Sequence, residues 1–296
     1  GIMNREEILA KARKENKGAD IVELGIPFSD PTAEGPVIME ANERALAGGV
    51  TTDMVFDMVI RIRKKTDIPL VFMTYANVVF SYGTERFCRR AQEGEIAGVI
   101  LPDVPFEEKD DFSSIFEQYG MCLISMIAPT SDERISMIAK EAKGFLYIVS
   151  SLGVTGTRSS ITTDIGAMTE KVRAASSVPC AVGLGISDPQ QARTMADLSD
   201  GAIVGSAIVK ICAKYGKDCV PYVANFVKEM KIDKFPSRVQ NIIEEFESNT
   251  EFYSQKQIDT LGSVAFQENR MISDDTQIRY INTDVILAQQ LQASTL

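Results

Sequence analysis

Seven predominantly apolar runs recur along the first three quarters of the chain, and they constrain its fold more than any other feature. Each run is apolar at successive rather than alternate positions, so a strand built from it must be buried on both faces, as in a parallel sheet covered by helices. Starts at residues 70, 97, 122 and 145 lie 27, 25 and 23 residues apart, which suits one strand, one helix and two loops. The runs span residues 19–27, 70–76, 97–104, 122–128, 145–150, 180–185 and 202–209.

The segments between these runs have the patterns of helices. Residues 52–65 place apolar side chains on one side and end in basic residues, and residues 131–142 begin with Ser131 as a candidate N-cap. Residues 189–198 begin with a proline directly after Ser187-Asp188, a pair that provides a second candidate N-cap. Strand-helix units in series predict either a doubly wound sheet or a (β/α)8 barrel. The regular repeat and the glycine turns after the last runs favour the barrel.

Composition excludes several kinds of chemistry. The 296 residues contain no His, which removes His general bases, Ser-His and Cys-His pairs and most zinc sites. The net charge of −10 argues against nucleic acid as a partner, whereas a small anionic substrate can still be bound by backbone amides. Five Cys without a CxxC motif predict reduced thiols rather than a disulfide framework. Neither a signal peptide nor a membrane span is expected, so we predict a cytoplasmic protein, or a plastid one if the source is a plant.

Three carboxylates are expected where a barrel places its catalytic groups, at or near the carboxyl ends of strands. Glu23 lies inside the apolar run IVELG, where burial would raise its pKa toward the range of a proton-transfer group. The loop at residues 27–36 then places Asp30 and Glu34 near the mouth of the barrel. A structural ion pair for Glu23, and a solvated turn for the loop, remain alternatives at this point.

Glycine turns follow the last three runs. They contain Gly156, Gly185 and the pair Gly205-Ser206, and glycines in such turns let backbone N–H groups approach an anion closely. Loops after the last two strands of a barrel are a recurrent phosphate site. Asp103 closes another predicted strand between flanking prolines, which fix its backbone. Tyr75 and Tyr147 lie at or near other strand ends, where core packing with one hydrogen bond is the simpler explanation.

Seven ordered motifs, from about residue 18 to about residue 231, resemble the tryptophan synthase alpha subunit family. They are ADIVELGIPFSDPTAEGPVI, YANVVFSYG, ILPDVPFEE, APTSDERI, IVSSLGVTGTR, AVGLGIS and AIVGSAIVK. The resemblance implies a (β/α)8 barrel and a lyase that cleaves indole-3-glycerol phosphate to indole and glyceraldehyde 3-phosphate. It also implies no resident metal or cofactor, and a beta subunit that holds pyridoxal phosphate and receives the indole.

The resemblance further implies roles for individual residues. Glu23 matches the catalytic glutamate, Tyr147 matches the active-site tyrosine, and Glu34 stands where the family has a second catalytic carboxylate, an Asp. Matches to the family's substrate and phosphate contacts are Tyr75, Thr155, Gly156, Gly185, Gly205 and Ser206. Asp30 and Pro31 fall in the loop that faces the beta subunit.

Two departures from the family pattern are evident. A predicted helix at residues 4–16 leads through two residues into the run at residue 19, so the family's first strand-helix unit is missing and a barrel domain of residues 1–231 should have two open edges. Residues 232–296 form an extension foreign to the family, and its segment 276–281 alternates like a strand that could replace the missing one. A degenerate barrel that only binds a beta subunit, and another phosphate-binding barrel enzyme such as an epimerase, remain alternatives.

Overall fold

The computed structural model describes residues 19–129, 131–149, 158–183 and 185–230. The predicted helix at residues 4–16, the site residues Thr155 and Gly156, and the extension at residues 232–296 lie outside these described residues.

All seven apolar runs contain a strand. The strands are β1 Val22–Gly25, β2 Leu70–Met73, β3 Ile96–Ile100, β4 Cys122–Leu123, β5 Met126–Ile127, β6 Leu146–Val149, β7 Cys180–Gly183 and β8 Gly201–Ile203. The helices between and after them are α1 Pro36–Ala47, α2 Thr52–Arg63, α3 Ala76–Tyr82, α4 Thr84–Glu93, α5 Asp110–Gln118, α6 Asp132–Glu141, α7 Arg158–Ala175, α8 Pro189–Leu198, α9 Ser206–Tyr215 and α10 Val220–Met230.

The predicted starts of α6 and α8 are determined by side chains that cap the first turn of each helix. The Ser131 hydroxyl accepts from the N–H of Arg134 at 3.3 Å before α6, and the Asp188 carboxylate accepts from the N–H of Gln191 at 2.8 Å before α8. Each bond satisfies one of the backbone donors that the first turn of a helix leaves without an intrahelical partner. Both predicted N-caps are therefore confirmed.

The strands form one continuous parallel array, although they divide into two four-stranded sheets, β1-β2-β3-β4 and β5-β6-β7-β8. The segment that contains β4 and β5 joins the sheets, because Ile124 N–H bonds Val99 C=O at 2.9 Å on one side and Tyr147 N–H bonds Ser125 C=O at 3.0 Å on the other. Within the described residues, seven staves are thus arranged in sequence order, each parallel to the next. The described part of the chain therefore forms the predicted α/β barrel architecture with seven staves.

Side chains alternate between the barrel interior and the helix layer. An interior cluster contains Val71, Ala97, Ile100, Cys122, Ile124, Phe145 and Ala181, and it is contacted by Ile21 and Ile203 from the two end staves. Two larger clusters lie between sheet and helices, one around β1–β3 and one around the last staves. Because every stave is covered on both faces, the continuous apolar runs are explained.

Helix α1 joins the two ends of the array. Among the described residues β1 pairs only with β2, and β8 pairs only with β7, so no strand pairing closes the barrel there. Ala41 of α1 instead packs in the cluster of the last staves with Ile208 of α9, while Ala45 packs in the cluster of the first staves. The same helix exposes Met39 and Leu46, at 40% and 38% of their surface. The ends are therefore held by helix packing, and an apolar part of α1 stays uncovered.

We predict that Ala41→Leu destabilises the protein by about 1–3 kcal/mol, because Ala41 is fully buried and added methylenes must displace the packed neighbours. Glu43→Leu on the exposed side of the same helix should change stability by no more than about 0.5 kcal/mol. Urea unfolding of both variants measures the difference. Equal stability of the two variants would show that α1 does not pack against α9.

Candidate active site

Glu23 lies on the interior side of β1. Its neighbours Val22 and Leu24 belong to the outer cluster, and its register partner on β2 is Val71, a member of the interior cluster. Side chains of register partners in parallel strands lie on the same face of the sheet, so the Glu23 side chain enters the barrel among apolar neighbours. It is partly buried there.

Tyr147 enters the same interior from β6, and its ring depends on Gly183. Tyr147 pairs with Met126 and Ala181 and contacts the interior cluster. A Cβ added to Gly183 would lie 2.2 Å from the Tyr147 hydroxyl oxygen and 2.5 Å from two of its ring carbons. Glycine at this position is therefore what leaves room for the phenol ring.

Tyr75 organises the loop that follows β1. Its side chain is 1% exposed, and its hydroxyl accepts from the N–H of Ala33 at 3.2 Å and is hydrogen-bonded to Glu34. The Phe28 ring packs on the Tyr75 ring with centroids 5.2 Å apart. Burial, assisted by the Glu34 charge, raises the pKa of Tyr75 to about 12, so the phenol keeps its proton at neutral pH.

Asn42 is a site residue that sequence reasoning missed. Its side-chain amide donates to a carboxylate oxygen of Glu34 at 2.5 Å, and the residue is 3% exposed. The signal was present in the sequence: Asn42 takes a position on the helical stripe of Ile38 and Ala45, where the pattern calls for an apolar residue. A polar residue on the buried side of a helix needs a partner, and the partner here is a mouth carboxylate.

The late glycine turns lie at the same end of the barrel as these carboxylates. Gly185 follows β7 with φ +67°, a conformation that favours glycine, and Gly205 and Ser206 begin α9. The two late helices differ at their starts: α8 is capped by the Asp188 carboxylate, whereas α9 begins at Gly205 without a side-chain cap bond. Among the described residues, Gly205 gives the first N–H groups of α9 no side-chain acceptor, which is the arrangement found where a helix start binds an anion.

Three other residues singled out from the sequence lie outside the barrel interior. Asp30 is exposed and its carboxylate accepts from Ser29, and Pro31 is partly exposed in the same loop. Asp103 accepts from the N–H of Ala76 with both carboxylate oxygens at 3.1 Å, so it caps the start of α3 rather than entering the barrel.

All five cysteines are buried as thiols that form no disulfide bond, as the sequence predicted. In the described part of the chain, no cluster of three or more His, Cys, Asp or Glu side chains is arranged to hold a metal ion. None of the helices described there combines the length and apolar character needed to cross a bilayer.

A parallel α/β barrel with carboxylates and glycine turns at the carboxyl ends of its strands defines the class of barrel enzymes that act on small phosphorylated substrates. The family model "Tryptophan synthase alpha chain" matches residues 4–235. The chain is 47% identical over 215 residues to the tryptophan synthase alpha chain of Lacticaseibacillus casei, covering 73% of this chain and 81% of that protein. It is 50% identical over 199 residues to that of Lactiplantibacillus plantarum, covering 67% and 75%. The chain belongs to the tryptophan synthase alpha chain family.

Solved structures agree with this assignment. Tryptophan synthase subunit alpha from Campylobacter jejuni superposes with a TM-score of 0.65 at 37% identity, over 72% of this chain and 84% of that one. A chain of the tryptophan synthase a2b2 complex from Pyrococcus furiosus gives a TM-score of 0.67 at 31% identity, over 75% and 90%.

We predict that Gly183→Ala destabilises the protein by about 1–3 kcal/mol, because the added methyl group overlaps the Tyr147 ring and the ring must move. Gly166→Ala in α7 is the matched control, since its added Cβ meets only Leu198 at an ordinary 3.5 Å. Alanine's higher helix propensity should make that control neutral or stabilising by up to about 1 kcal/mol. Denaturant unfolding of both variants compares them, and a loss no larger than that of the control would contradict the packing described.

Proposed function

We propose that this chain is an active lyase that cleaves indole-3-glycerol phosphate to indole and glyceraldehyde 3-phosphate in tryptophan biosynthesis. Membership of the tryptophan synthase alpha chain family supports the reaction. The observation that carries the proposal is the position of Glu23, whose register with Val71 directs a carboxylate into the apolar barrel interior.

The reaction is a retro-aldol cleavage, and it needs only proton transfers. A base removes the proton of the glycerol hydroxyl next to the indole ring, and a proton is delivered to indole C3. The bond between indole C3 and the glycerol carbon that carries this hydroxyl then breaks. One product is an aldehyde and the other is indole, so no oxidant or reductant is required. In this proposal Glu23 performs the proton transfers, because its register with Val71 directs the carboxylate into the barrel interior where the substrate would lie.

Glu34 is the second carboxylate of the proposed mechanism. Its negative charge stabilises the positive charge that develops at the indole nitrogen when C3 is protonated. Tyr147 shares the barrel interior with Glu23 and is proposed to line the pocket beside the substrate. Thr155 and Gly156 keep the roles implied by the family resemblance as part of this proposal.

The phosphate group is proposed to bind at the turns after the last two strands. Gly185 allows close approach of the backbone, and the first N–H groups of α9, at Ser206 and beyond, supply donors and the positive end of the helix dipole. Binding through main-chain donors needs no basic side chain, which suits a chain of net charge −10. The fixed phosphate then orients the bond that breaks.

A beta subunit is the proposed partner, because the Pyrococcus furiosus relative is part of an a2b2 complex. Asp30 and Pro31 are exposed or partly exposed in the loop that would face it. Pyridoxal phosphate is expected on that subunit, and the assembly is proposed to act in the cytoplasm.

We predict that Glu23→Gln lowers the rate of indole release from indole-3-glycerol phosphate about 10²- to 10⁴-fold, because the amide cannot transfer the protons. The size of the side chain is kept, so binding of glycerol 3-phosphate should be unchanged. Spectroscopic assay of indole release with and without beta subunit measures the rate, and calorimetry measures the binding. Unchanged turnover would refute the role assigned to Glu23.

A second prediction concerns the phosphate site. Glycerol 3-phosphate at about 100 times its dissociation constant should stabilise the wild-type chain by about 2.7 kcal/mol. Gly185→Ala should reduce this gain, because an alanine is strained at φ +67° and the turn must rearrange. The exposed glycine Gly49 has φ +78° and open space around it, so Gly49→Ala is a control with matched strain. Thermal unfolding with and without ligand gives the comparison, and an equal ligand effect in all three proteins would place the phosphate elsewhere.

A further inference from the structure

Two side chains from different elements hold the carboxylate of Glu34. Asn42 approaches from α1 and donates through its amide nitrogen at 2.5 Å. Tyr75 approaches from the carboxyl end of β2, where it is the N-cap residue of α3, and its hydroxyl is hydrogen-bonded to the same carboxylate. A carboxylate that is bonded from two elements has much less freedom to rotate than one bonded from its own loop.

The two donors are themselves fixed in place. Asn42 and Tyr75 are 3% and 1% exposed, and the Tyr75 ring is packed on Phe28. The N–H of Ala33, next to Glu34 in the chain, donates to the Tyr75 oxygen at 3.2 Å, so the hydroxyl proton is left to be donated to the carboxylate. Because the pKa of Tyr75 is about 12, this proton is retained throughout the neutral range.

The burial of Asn42 has a cost that an apolar residue at this position would not incur. Its neighbour Ala41 and the residue one turn on, Ala45, are fully buried apolar residues. An apolar side chain at position 42 would continue that stripe without the penalty of taking an amide out of water. The amide is instead bonded to a carboxylate at the mouth of the barrel.

We infer that Asn42 and Tyr75 are positioning residues that together hold the Glu34 carboxylate in the orientation needed for catalysis. The inference rests on the proposed function, in which Glu34 stabilises charge at the indole nitrogen. Neither residue needs to touch the reacting atoms, because each acts through Glu34. A displacement of about 1 Å in a catalytic group can lower a rate about 100-fold. Loss of the contact from Asn42 or from Tyr75 to Glu34 should therefore lower turnover measurably.

The test is a set of single and double variants assayed for indole release from indole-3-glycerol phosphate. Asn42→Ala and Tyr75→Phe should each lower kcat by about 10- to 100-fold. The KM should change less than about threefold, because the phosphate is bound at the late glycine turns. Tyr75→Phe keeps the ring and its packing, so it tests the positioning of the Glu34 carboxylate even if Asn42→Ala folds poorly.

Two matched controls remove the same kinds of bond elsewhere. Tyr82 donates from its hydroxyl to the Asp53 carboxylate, and Asn225 donates from its amide to Glu229 at 2.7 Å; both hydrogen bonds lie at the protein surface. Tyr82→Phe and Asn225→Ala should leave kcat unchanged. If Asn42→Ala and Tyr75→Phe also leave kcat unchanged, the inference is overturned.

The double variants separate positioning from a structural role. In a Glu34→Ala background, Asn42→Ala and Tyr75→Phe should cause no further loss of kcat, because no carboxylate remains to be held. The same loss in both backgrounds would mean that the residues support the fold, and it would overturn the inference. A wild-type chain that releases no indole overturns the proposed function and the inference with it. If the wild type is active but each variant loses the same fraction of kcat with and without Glu34, the inference alone is overturned.

Discussion

The requirement that each barrel strand be buried on both faces determines the rest of this structure. Successive side chains of β1 point alternately into the interior and into the helix layer. A shift of one position along the strand therefore decides whether a carboxylate enters the barrel or the helix layer. Glu23 lies between Val22 and Leu24, which both pack outward, and it therefore must point inward. The same alternation sends Tyr147 inward from β6, where Gly183 on the next stave makes room for its ring.

The ends of the strand array show how a barrel of seven described staves keeps its shape. Unpaired edges of parallel strands are costly, and in an eight-stave barrel a neighbouring strand satisfies them. Here α1 contacts the cores of both halves, through Ala41 and Ala45 respectively. The helix that joins the ends also contains Asn42, so the element that holds the barrel together is the one that holds the mouth carboxylate Glu34. Fold stability and site geometry thus depend on the same helix.

Much of this arrangement could be predicted from sequence because it depends on local patterns. The seven staves follow from continuous apolar runs, and the starts of α6 and α8 follow from Ser131 and Asp188, whose caps involve residues three positions away. The contact between Asn42 and Glu34 joins residues eight positions apart, and that between Tyr75 and Glu34 crosses from one stave to the next. No local pattern encodes such contacts, and only the buried polar residue in an apolar stripe hinted at one of them.

The distribution of charge at the mouth orients the proposed substrate. The carboxylates Glu23 and Glu34 both belong to the first stave and its loop, whereas the helix start at Gly205 belongs to the last stave. A phosphate dianion is repelled by the carboxylates and attracted by the N–H groups of α9, so the electrostatic field admits one orientation and disfavours its reverse. In that orientation the indole end lies toward the carboxylates, which are the groups able to exchange its protons. In the proposed mechanism the placement of Glu34 matters as well as its charge, because a mobile carboxylate would weaken the field that orients the substrate.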